Sequence, residues 1–208
     1  MSAVLYYIHD PMCSWCWGYK PVWDALEKVL PADVQVEYVA GGLAPDSNEP
    51  MPIDQQGMIK AHWKTIEAKL GTEFNYEFWS KNVARRSTYN ACRAVIAAKN
   101  QHAEKEMVSA IQKGYYLRAL NPSDNDMLIQ LVEELITSGL AINLEKFVDD
   151  LTSNNTQQEL LRQIQFSREL SANGFPSLVL ECAGQRHTIN HDYKDHLPTL
   201  AKIKSYLT

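Results

Sequence analysis

Residues 4–17, VLYYIHDPMCSWCW, decide the fold of this chain. Residues 4–8 form a short apolar, aromatic-rich run that ends at a His-Asp-Pro turn, a pattern typical of a β-strand. Cys-Ser-Trp-Cys follows at positions 13–16, and apolar residues then recur every three or four positions up to Leu30, which indicates a helix. The sequence therefore predicts two cysteines at the junction between a strand and a helix.

This position favours the redox chemistry of a dithiol. Unpartnered backbone N–H groups and the helix dipole stabilise a thiolate at a helix N-terminus, so Cys13 is predicted as the nucleophile. Cys16 lies one turn further along, where it can attack a mixed disulfide formed at Cys13. The alternative is half of a zinc site, which needs two more cysteine or histidine ligands. Cys92 and Cys182 stand alone in apolar segments and are predicted as small core residues, so we expect no metal and no other cofactor.

Strand patterns return only after a long helical block. Residues 34–39 alternate between polar and apolar and predict a second strand, and a polar, proline-rich connection follows at 44–52. Apolar stripes at helical spacing then continue to about residue 170. The chain closes with a strand at 177–181, a turn at 183–185, a strand at 186–189 and a helix at 191–207. This order predicts a single α/β sheet that is interrupted by a helical insertion.

The composition restricts the partners and the location that we expect. The chain has 208 residues, with 20 Lys and Arg against 25 Asp and Glu, so its formal net charge is −5. This balance argues against a nucleic-acid-binding protein, which normally carries a basic patch. No apolar run approaches the roughly 18 residues of a membrane helix, and the N-terminus lacks the pattern of a signal peptide. We therefore expect a cytoplasmic protein with reduced cysteines and no membrane or nucleic-acid partner.

A strand followed by CxxC and a helix, together with a β-β-α end, resembles the thioredoxin fold. The long helical insertion resembles its DsbA-like subgroup, and two prolines strengthen the likeness. Pro21 stands eight residues after Cys13, where the family often kinks its first helix. Phe175-Pro176 precedes the third strand, where the family carries a cis-proline facing the dithiol. Within the subgroup, DPMCSWCWG without a signal peptide is most similar to the FrnE-type cytoplasmic disulfide oxidoreductases and isomerases.

The resemblance covers nearly the whole chain. It implies an α/β thioredoxin fold (β-α-β, then β-β-α) interrupted by a large all-helical insertion. The discontinuous thioredoxin-like domain would comprise residues 1–45 and 172–208, and the insertion residues 46–171. The implied function is that of a thiol–disulfide oxidoreductase, in which Cys13 attacks and Cys16 resolves. The implied partners are protein or peptide dithiols and disulfides, with glutathione as a further candidate.

Substrate contacts are expected on both sides of the dithiol. The resemblance places Phe175 and Pro176 against an extended substrate. Ser14 and Trp15 separate the two cysteines, on a surface that must admit a partner disulfide, so both are candidate substrate contacts. Incidental packing is an equal alternative for Trp15. Trp17, by contrast, begins the apolar face of the helix and is predicted in the core.

The acid–base residues depart from the family pattern. Thioredoxin and DsbA carry a buried acid six residues before the first cysteine, but that position is Tyr7 here. Asp10 is the nearest carboxylate, and it is equally a candidate for proton transfer and for capping the turn. His9 is predicted as a packed residue at the strand end. Arg85 and Arg86 are predicted as a solvated pair at a helix start, with an anionic site as the less favoured alternative.

Two other functions stay open at this point. The DsbA-like family includes kappa-class glutathione transferases and 2-hydroxychromene-2-carboxylate isomerases, which bind glutathione and carry serine at the position of Cys13. The thiol of Cys16 argues against this alternative, because a transferase has no use for a resolving cysteine. The non-enzymatic alternative is a chaperone-like binding module in which the dithiol is incidental.

Overall fold

The computed structural model describes residues 3–170, 172 and 174–207, and a four-stranded sheet lies at its centre. The strands are β1 (Ala3–His9), β2 (Val34–Ala40), β3 (Ser177–Cys182) and β4 (Gln185–Ile189). Their order across the sheet is β2-β1-β3-β4, with β1 and β2 parallel and the other two pairs antiparallel. The predicted α/β class and the predicted strands are confirmed, and each strand end lies within one residue of its prediction.

Helix α1 (Ser14–Val29) joins β1 to β2 and begins immediately after Cys13. A long helical segment then separates β2 from β3, as predicted. Its helices are α2 (Ile53–Leu70), α3 (Phe78–Lys81), α4 (Tyr89–Lys99), α5 (Glu104–Arg118), α6 (Asn125–Thr137), α7 (Leu144–Thr152) and α8 (Asn154–Glu169). Helix α9 (Leu197–Leu207) follows β4.

The prediction of a closing helix over 191–207 is wrong at its N-terminal end. The Asp192 side chain accepts hydrogen bonds from two backbone N–H groups that follow it, and this holds the chain in a turn. The Asp195 side chain accepts a hydrogen bond from the Leu197 N–H, where α9 begins. Pro198 therefore falls in the first turn, where its missing N–H costs no helical hydrogen bond.

Both faces of the sheet are covered by helices. On one face, Leu5 of β1 belongs to an apolar cluster with Leu26 of α1 and Ile203 of α9. On the other face, Ile8 of β1 packs in a cluster that includes Phe166 of α8. Because successive strand residues point to opposite faces, β1 is buried on both sides and fixes the turn that follows it.

Helix α8 ties the helical segment to the sheet. It packs directly on β2, and the Gln163 side-chain oxygen accepts a hydrogen bond of 2.8 Å from the Ala40 N–H. The predicted division into residues 1–45 plus 172–208 and residues 46–171 stays a prediction. The helical segment nevertheless covers one face of the sheet through α8, in addition to its own internal packing.

Trp17 lies at the edge of the core and not inside it. Its half-buried ring stacks on Tyr116 with the ring centroids 5.7 Å apart, and its indole N–H donates a hydrogen bond of 3.0 Å to the Glu73 carbonyl oxygen. Trp17 thus connects α1 to the helical segment.

Within the described residues, no helix combines the length and the apolar character that crossing a membrane requires.

Candidate active site

Cys13 is the N-cap residue of α1, with φ −82° and ψ 119°. Its N–H donates a hydrogen bond of 3.0 Å to the Asp10 carbonyl oxygen, and its own carbonyl oxygen accepts one of 3.1 Å from the Trp17 N–H. These bonds fix the turn that presents the first thiol at the helix end. Cys13 is 7% exposed, whereas Cys16 is fully buried behind it. Both cysteines are free thiols.

The surroundings of the two thiols shift their pKa values in opposite directions. A hydrogen bond from the Cys16 thiol lowers the pKa of Cys13 below the ordinary value, with help from the backbone N–H groups of Cys16 and Trp15, against the opposing effects of burial and of Asp10. Burial raises the pKa of Cys16 well above the ordinary value. The negative charge of the dithiol therefore forms on Cys13, the thiol nearer to solvent, and this is the form that attacks disulfides.

This difference predicts selective alkylation. When reduced protein is treated with iodoacetamide over a range of pH, we expect Cys13 to react first and to stay reactive at pH values below the ordinary thiol pKa. Cys16 and Cys92 should stay unlabelled, because both are fully buried and burial raises the pKa of each. Peptide mass spectrometry after a short pulse measures the labelling. First labelling of Cys16 or Cys92 would contradict this assignment.

Phe175 lies against Cys13, and Pro176 is the next residue along the chain. The Cys13 Sγ is 3.4 Å from the Phe175 carbonyl oxygen, to which it donates a hydrogen bond, although the two residues are 162 positions apart. The Phe175–Pro176 peptide bond is cis, and Pro176 is buried while Phe175 is half-buried. The two ends of the chain that were predicted to share the site therefore meet in the structure.

Gly41 provides the space that Phe175 occupies. A Cβ atom at Gly41 would lie 2.1 Å from two atoms of the Phe175 ring, so Gly41→Ala must displace this ring, whose own residue supplies the carbonyl oxygen beside Cys13. We expect a loss of about 1–3 kcal/mol of stability, typical of overpacking, and slower disulfide exchange. Urea unfolding and insulin reduction measure the two effects. Gly57→Ala on the exposed side of α2 is the control, since nothing lies within 4 Å of its added Cβ; equal behaviour of the two variants would refute the prediction.

Asp10 joins three segments around the dithiol turn. Its carboxylate is fully buried and accepts hydrogen bonds from the Met12 N–H at 2.8 Å, the Leu43 N–H at 2.7 Å and the Thr88 hydroxyl at 2.7 Å. The Cys92 thiol is a weaker donor at 3.6 Å. Burial raises the pKa of Asp10, and the hydrogen bonds oppose this shift. The carboxylate thus ties the CxxC turn to the chain after β2 and to the start of α4.

His9 packs as predicted. It is buried, and its ring stacks on Tyr7 with the centroids 5.1 Å apart and meets the Tyr38 ring edge-on. Neither ring nitrogen has a hydrogen-bond partner among the described residues. Burial lowers the pKa of His9 to about 3, so this imidazole stays neutral in the physiological range and is part of the core.

A cavity of about 360 Å³ opens beside Cys13. It brings together Cys13, Ser14, Trp15 and Phe175, four of the predicted site residues. Most other lining side chains are apolar or uncharged. The rest of the described lining consists of Met12, Leu43, Met51, Gln55, Met58, Ile59, His62, Trp63, Arg85, Arg86, Thr88, Tyr115 and Gly174. The site therefore combines a reactive thiol with a largely apolar space in which a substrate half can lie.

Comparison with known families places this site in context. The family profile described as thioredoxin matches residues 6–190, from β1 to the end of β4. The chain belongs to the thioredoxin family. The predicted thioredoxin fold is thus confirmed. No curated protein matches the sequence significantly in a direct sequence search.

Several solved structures resemble the whole chain. A "putative protein disulfide isomerase" from Nitrosomonas europaea is 27% identical, with a TM-score of 0.86, and the match covers 100% of this chain and 98% of that one. The cytosolic disulfide reductase DsbM from Pseudomonas aeruginosa is 22% identical, with a TM-score of 0.80 and 98% coverage of both chains. A DsbM structure with GSH has a TM-score of 0.78 at 21% identity. The predictions of a DsbA-like architecture and of an enzyme of the disulfide oxidoreductase kind are confirmed.

The structure also corrects one expectation about this thioredoxin-family site. Arg85 and Arg86 do not form a solvated pair at a helix start: they are half-buried in the loop before α4 and line the cavity beside Cys13. The chain pairs Pro50 with Arg85 in an isolated β-bridge, which brings this loop to the site. Sequence reasoning also missed Thr88, since a single threonine in a polar loop carries no signal of its place beside Asp10.

No metal centre accompanies these groups in the described part of the chain. The described residues contain no group of three or more His, Cys, Asp or Glu side chains placed to hold a metal ion. Cys92 and Cys182 are both buried, as predicted for small core residues. Cys182 lies far along the chain from the dithiol, and its Sγ contacts the Tyr206 carbonyl oxygen at 3.6 Å.

Proposed function

We propose that this chain is a thiol–disulfide oxidoreductase that uses Cys13 as nucleophile and Cys16 as resolving cysteine. One observation carries the proposal: the thiol with the lowered pKa is the one at the helix end beside the cavity, and the second thiol lies buried behind it. The arrangement fits a reaction in which the substrate meets only Cys13. Cys16 acts after the mixed disulfide has formed.

The chemical steps balance without a cofactor. The Cys13 thiolate attacks one sulfur of a substrate disulfide, a Cys13–substrate disulfide forms, and the other substrate sulfur leaves as a thiolate that takes up a proton. Cys16 then loses its proton and attacks the Cys13 sulfur, which releases the second substrate thiolate and leaves a Cys13–Cys16 disulfide. The substrate gains two electrons and the dithiol loses two. The reverse sequence introduces a disulfide into a substrate dithiol.

We propose that extended polypeptides bind along the segment before β3. The Phe175 carbonyl oxygen contacts the Cys13 thiol, and Pro176 has no N–H. The Phe175 backbone is therefore the part that can pair with a substrate strand, once Cys13 is a thiolate and no longer donates to this carbonyl. Trp15 is half-buried and packs edge-on against Tyr193 with the centroids 5.2 Å apart. Its ring forms one wall of the cavity next to Ser14, where it can contact the residues that flank a substrate cysteine.

We propose a positioning role for Asp10. Its carboxylate oxygens bind Met12, Leu43, Thr88 and Cys92, so the side chain is already occupied by donors that hold the turn. Its negative charge also raises the pKa of Cys13. Proton transfer through Asp10 stays a prediction, which the variant described in the Discussion tests.

We further propose a FrnE-type cytoplasmic enzyme that works on dithiols and disulfides of proteins, peptides or glutathione. The DPMCSWCWG sequence supports the FrnE-type assignment. The fold likeness to a cytosolic disulfide reductase is compatible with a cytoplasmic location. Two free thiols at Cys13 and Cys16 disfavour the glutathione transferase and isomerase alternative, which needs no resolving cysteine.

Redox equilibration with glutathione tests the proposed function. The protein is incubated at graded ratios of reduced to oxidised glutathione, quenched in acid, alkylated and analysed by mass spectrometry. We expect a two-electron transition that is confined to Cys13 and Cys16. Insulin reduction with dithiothreitol should be accelerated by the same protein. The double variant Cys13→Ser/Cys16→Ser should lose both properties, while Cys182→Ser is the matched control. A double variant that keeps full activity would show that another thiol is the nucleophile, whereas a wild-type protein without either property would favour the binding-module alternative.

A further inference from the structure

The cavity beside Cys13 carries an unbalanced positive charge. Its described lining contains Arg85 and Arg86 and no Asp or Glu, in a chain whose formal net charge is −5. Arg85 is paired with Asp124. Arg86, which is half-buried, makes no ion pair and no side-chain hydrogen bond with any residue that the structure describes. Since burying an unpaired charge is costly, this guanidinium is suited to a negatively charged ligand.

The backbone on both sides of Arg86 is anchored. The Ala84 carbonyl oxygen accepts a hydrogen bond of 2.7 Å from the Met51 N–H, and the Thr88 N–H donates one of 3.0 Å to the Ala44 carbonyl oxygen. The Thr88 hydroxyl also binds the carboxylate of Asp10 in the turn before Cys13. The backbone of Arg86 is therefore held in a fixed place relative to the dithiol, and such preorganisation favours binding.

The size and the other donors of the cavity favour a small ligand. Its volume of about 360 Å³ lies near the lower end of small-molecule sites, which span roughly 300–1,000 Å³. Trp63 is fully buried in the same wall, and its indole N–H has no hydrogen-bond partner among the described residues. Counting the described residues alone, the lining thus holds a cation without an ionic partner and an unpaired donor, together with apolar side chains such as Met51.

We propose that Arg86 binds a carboxylate of the disulfide substrate, so that the enzyme prefers small anionic disulfides to neutral or cationic ones. This inference rests on the proposed function. The bonds that form and break are those given above: the Cys13 thiolate displaces one half of the small disulfide as thiolate, and Cys16 displaces the other. Arg86 takes part in none of them; it determines specificity by a charge-assisted hydrogen bond to the half that enters the cavity.

Small disulfides of different charge test the proposal in single-turnover reactions. Reduced protein is mixed with glutathione disulfide (anionic), 2-hydroxyethyl disulfide (neutral) or cystamine (cationic), quenched in acid, alkylated and analysed by mass. Each rate is divided by the rate of the same disulfide with dithiothreitol, which removes intrinsic reactivity. The wild-type protein should favour glutathione disulfide. Arg86→Met should slow this reaction roughly 10- to 100-fold, as expected for the loss of a hydrogen bond to a charged group, and should slow the neutral reaction far less.

The matched control is Arg162→Met. Arg162 lies on α8, pairs with Glu159 and has a side chain that is 65% exposed, so its loss changes the net charge equally without touching the cavity lining. Its selectivity should stay that of the wild type. An equal loss of rate on all three disulfides in Arg86→Met, or a wild-type protein without charge preference, would overturn the role of Arg86. If no disulfide oxidises the wild-type Cys13–Cys16 pair, the proposed function itself fails.

Discussion

Cys16→Ser is expected to accumulate covalent mixed disulfides with its substrates, all of them attached through Cys13. Cys13 lies at the helix end beside the cavity. The backbone N–H groups that help to lower its pKa stay in the variant, and the serine hydroxyl can donate in place of the Cys16 thiol, so Cys13 still attacks. The buried Cys16 thiol that would release the substrate is absent. Cys13→Ser, in contrast, should lose insulin reductase activity by on the order of 10³-fold or more, as the removal of a nucleophile does in hydrolases. Non-reducing gels and peptide mass spectrometry detect the trapped species, and insulin turbidity measures the rate.

Two further variants separate this mechanism from a general effect of losing a thiol. Cys182→Ser removes a buried cysteine of β3, remote in sequence from the dithiol, and should neither trap substrates nor slow the reaction. Cys13→Ser/Cys16→Ser should abolish the trapping seen in Cys16→Ser. Mixed disulfides that persist in the double variant, or full activity in Cys13→Ser, would show that another thiol is the nucleophile.

The sheet could be predicted because its strands carry local patterns. β1 is an uninterrupted apolar run that ends in a His-Asp-Pro turn, and β3 and β4 flank the tight turn at residues 183–184. The start of the closing helix could not be predicted correctly, because residues 191–196 contain no Gly or Pro that would exclude a helix. Only the side chains of Asp192 and Asp195, which hold turns there, prevent it. Hydrogen bonds from a side chain to its own backbone compete with a helix, and periodicity alone does not reveal that competition.

The site could be predicted only in part, because several of its residues lie far along the chain from the CxxC motif. Cys13 and Cys16 form a local motif, and the resemblance to a known fold supplied Phe175 and Pro176. Arg86 offered no such signal, because its place in the cavity depends on a loop held by Met51 and Thr88 through backbone hydrogen bonds. Contacts of this kind are set by how the helical segment packs on the sheet, and no spacing in the sequence encodes them.

Asp10→Asn is the second variant for which we expect a large effect, because the buried Asp10 carboxylate accepts several hydrogen bonds at once. The Leu43 N–H and the Met12 N–H are fixed backbone donors, and the Thr88 hydroxyl donates to the same oxygen as Leu43. In Asp10→Asn one side-chain oxygen becomes an NH₂ group, so either the Met12 N–H, or the Leu43 N–H together with the Thr88 hydroxyl, loses its acceptor. We expect a loss of about 2–4 kcal/mol in the free energy of unfolding, since an unsatisfied buried donor costs about 1–3 kcal/mol and bonds to a charge are stronger than average. Urea unfolding of the reduced protein measures this loss.

Asp192→Asn is the matched control for Asp10→Asn. The Asp192 carboxylate also accepts two backbone hydrogen bonds, from Lys194 and Asp195, but it lies on the exposed surface, where water can replace it. Its replacement should cost less than about 1 kcal/mol, within the range of an ordinary capping residue. Equal losses in the two variants would show that burial of the Asp10 carboxylate is not what makes its hydrogen bonds important.

The same Asp10→Asn protein distinguishes positioning from proton transfer. The negative charge of Asp10 raises the pKa of Cys13, so its removal should move the pH dependence of Cys13 alkylation to lower pH, opposite to the effect of a merely loosened site. If Asp10 only positions the turn, release of a mixed disulfide by Cys16 should proceed at nearly the wild-type rate in the fraction that is folded. If Asp10 also accepts the Cys16 proton, the mixed disulfide at Cys13 should persist, because the resolving thiolate then forms slowly in its buried place. An alkylation profile that moves to higher pH would contradict the electrostatic effect of Asp10 on Cys13 and would indicate a loosened site instead.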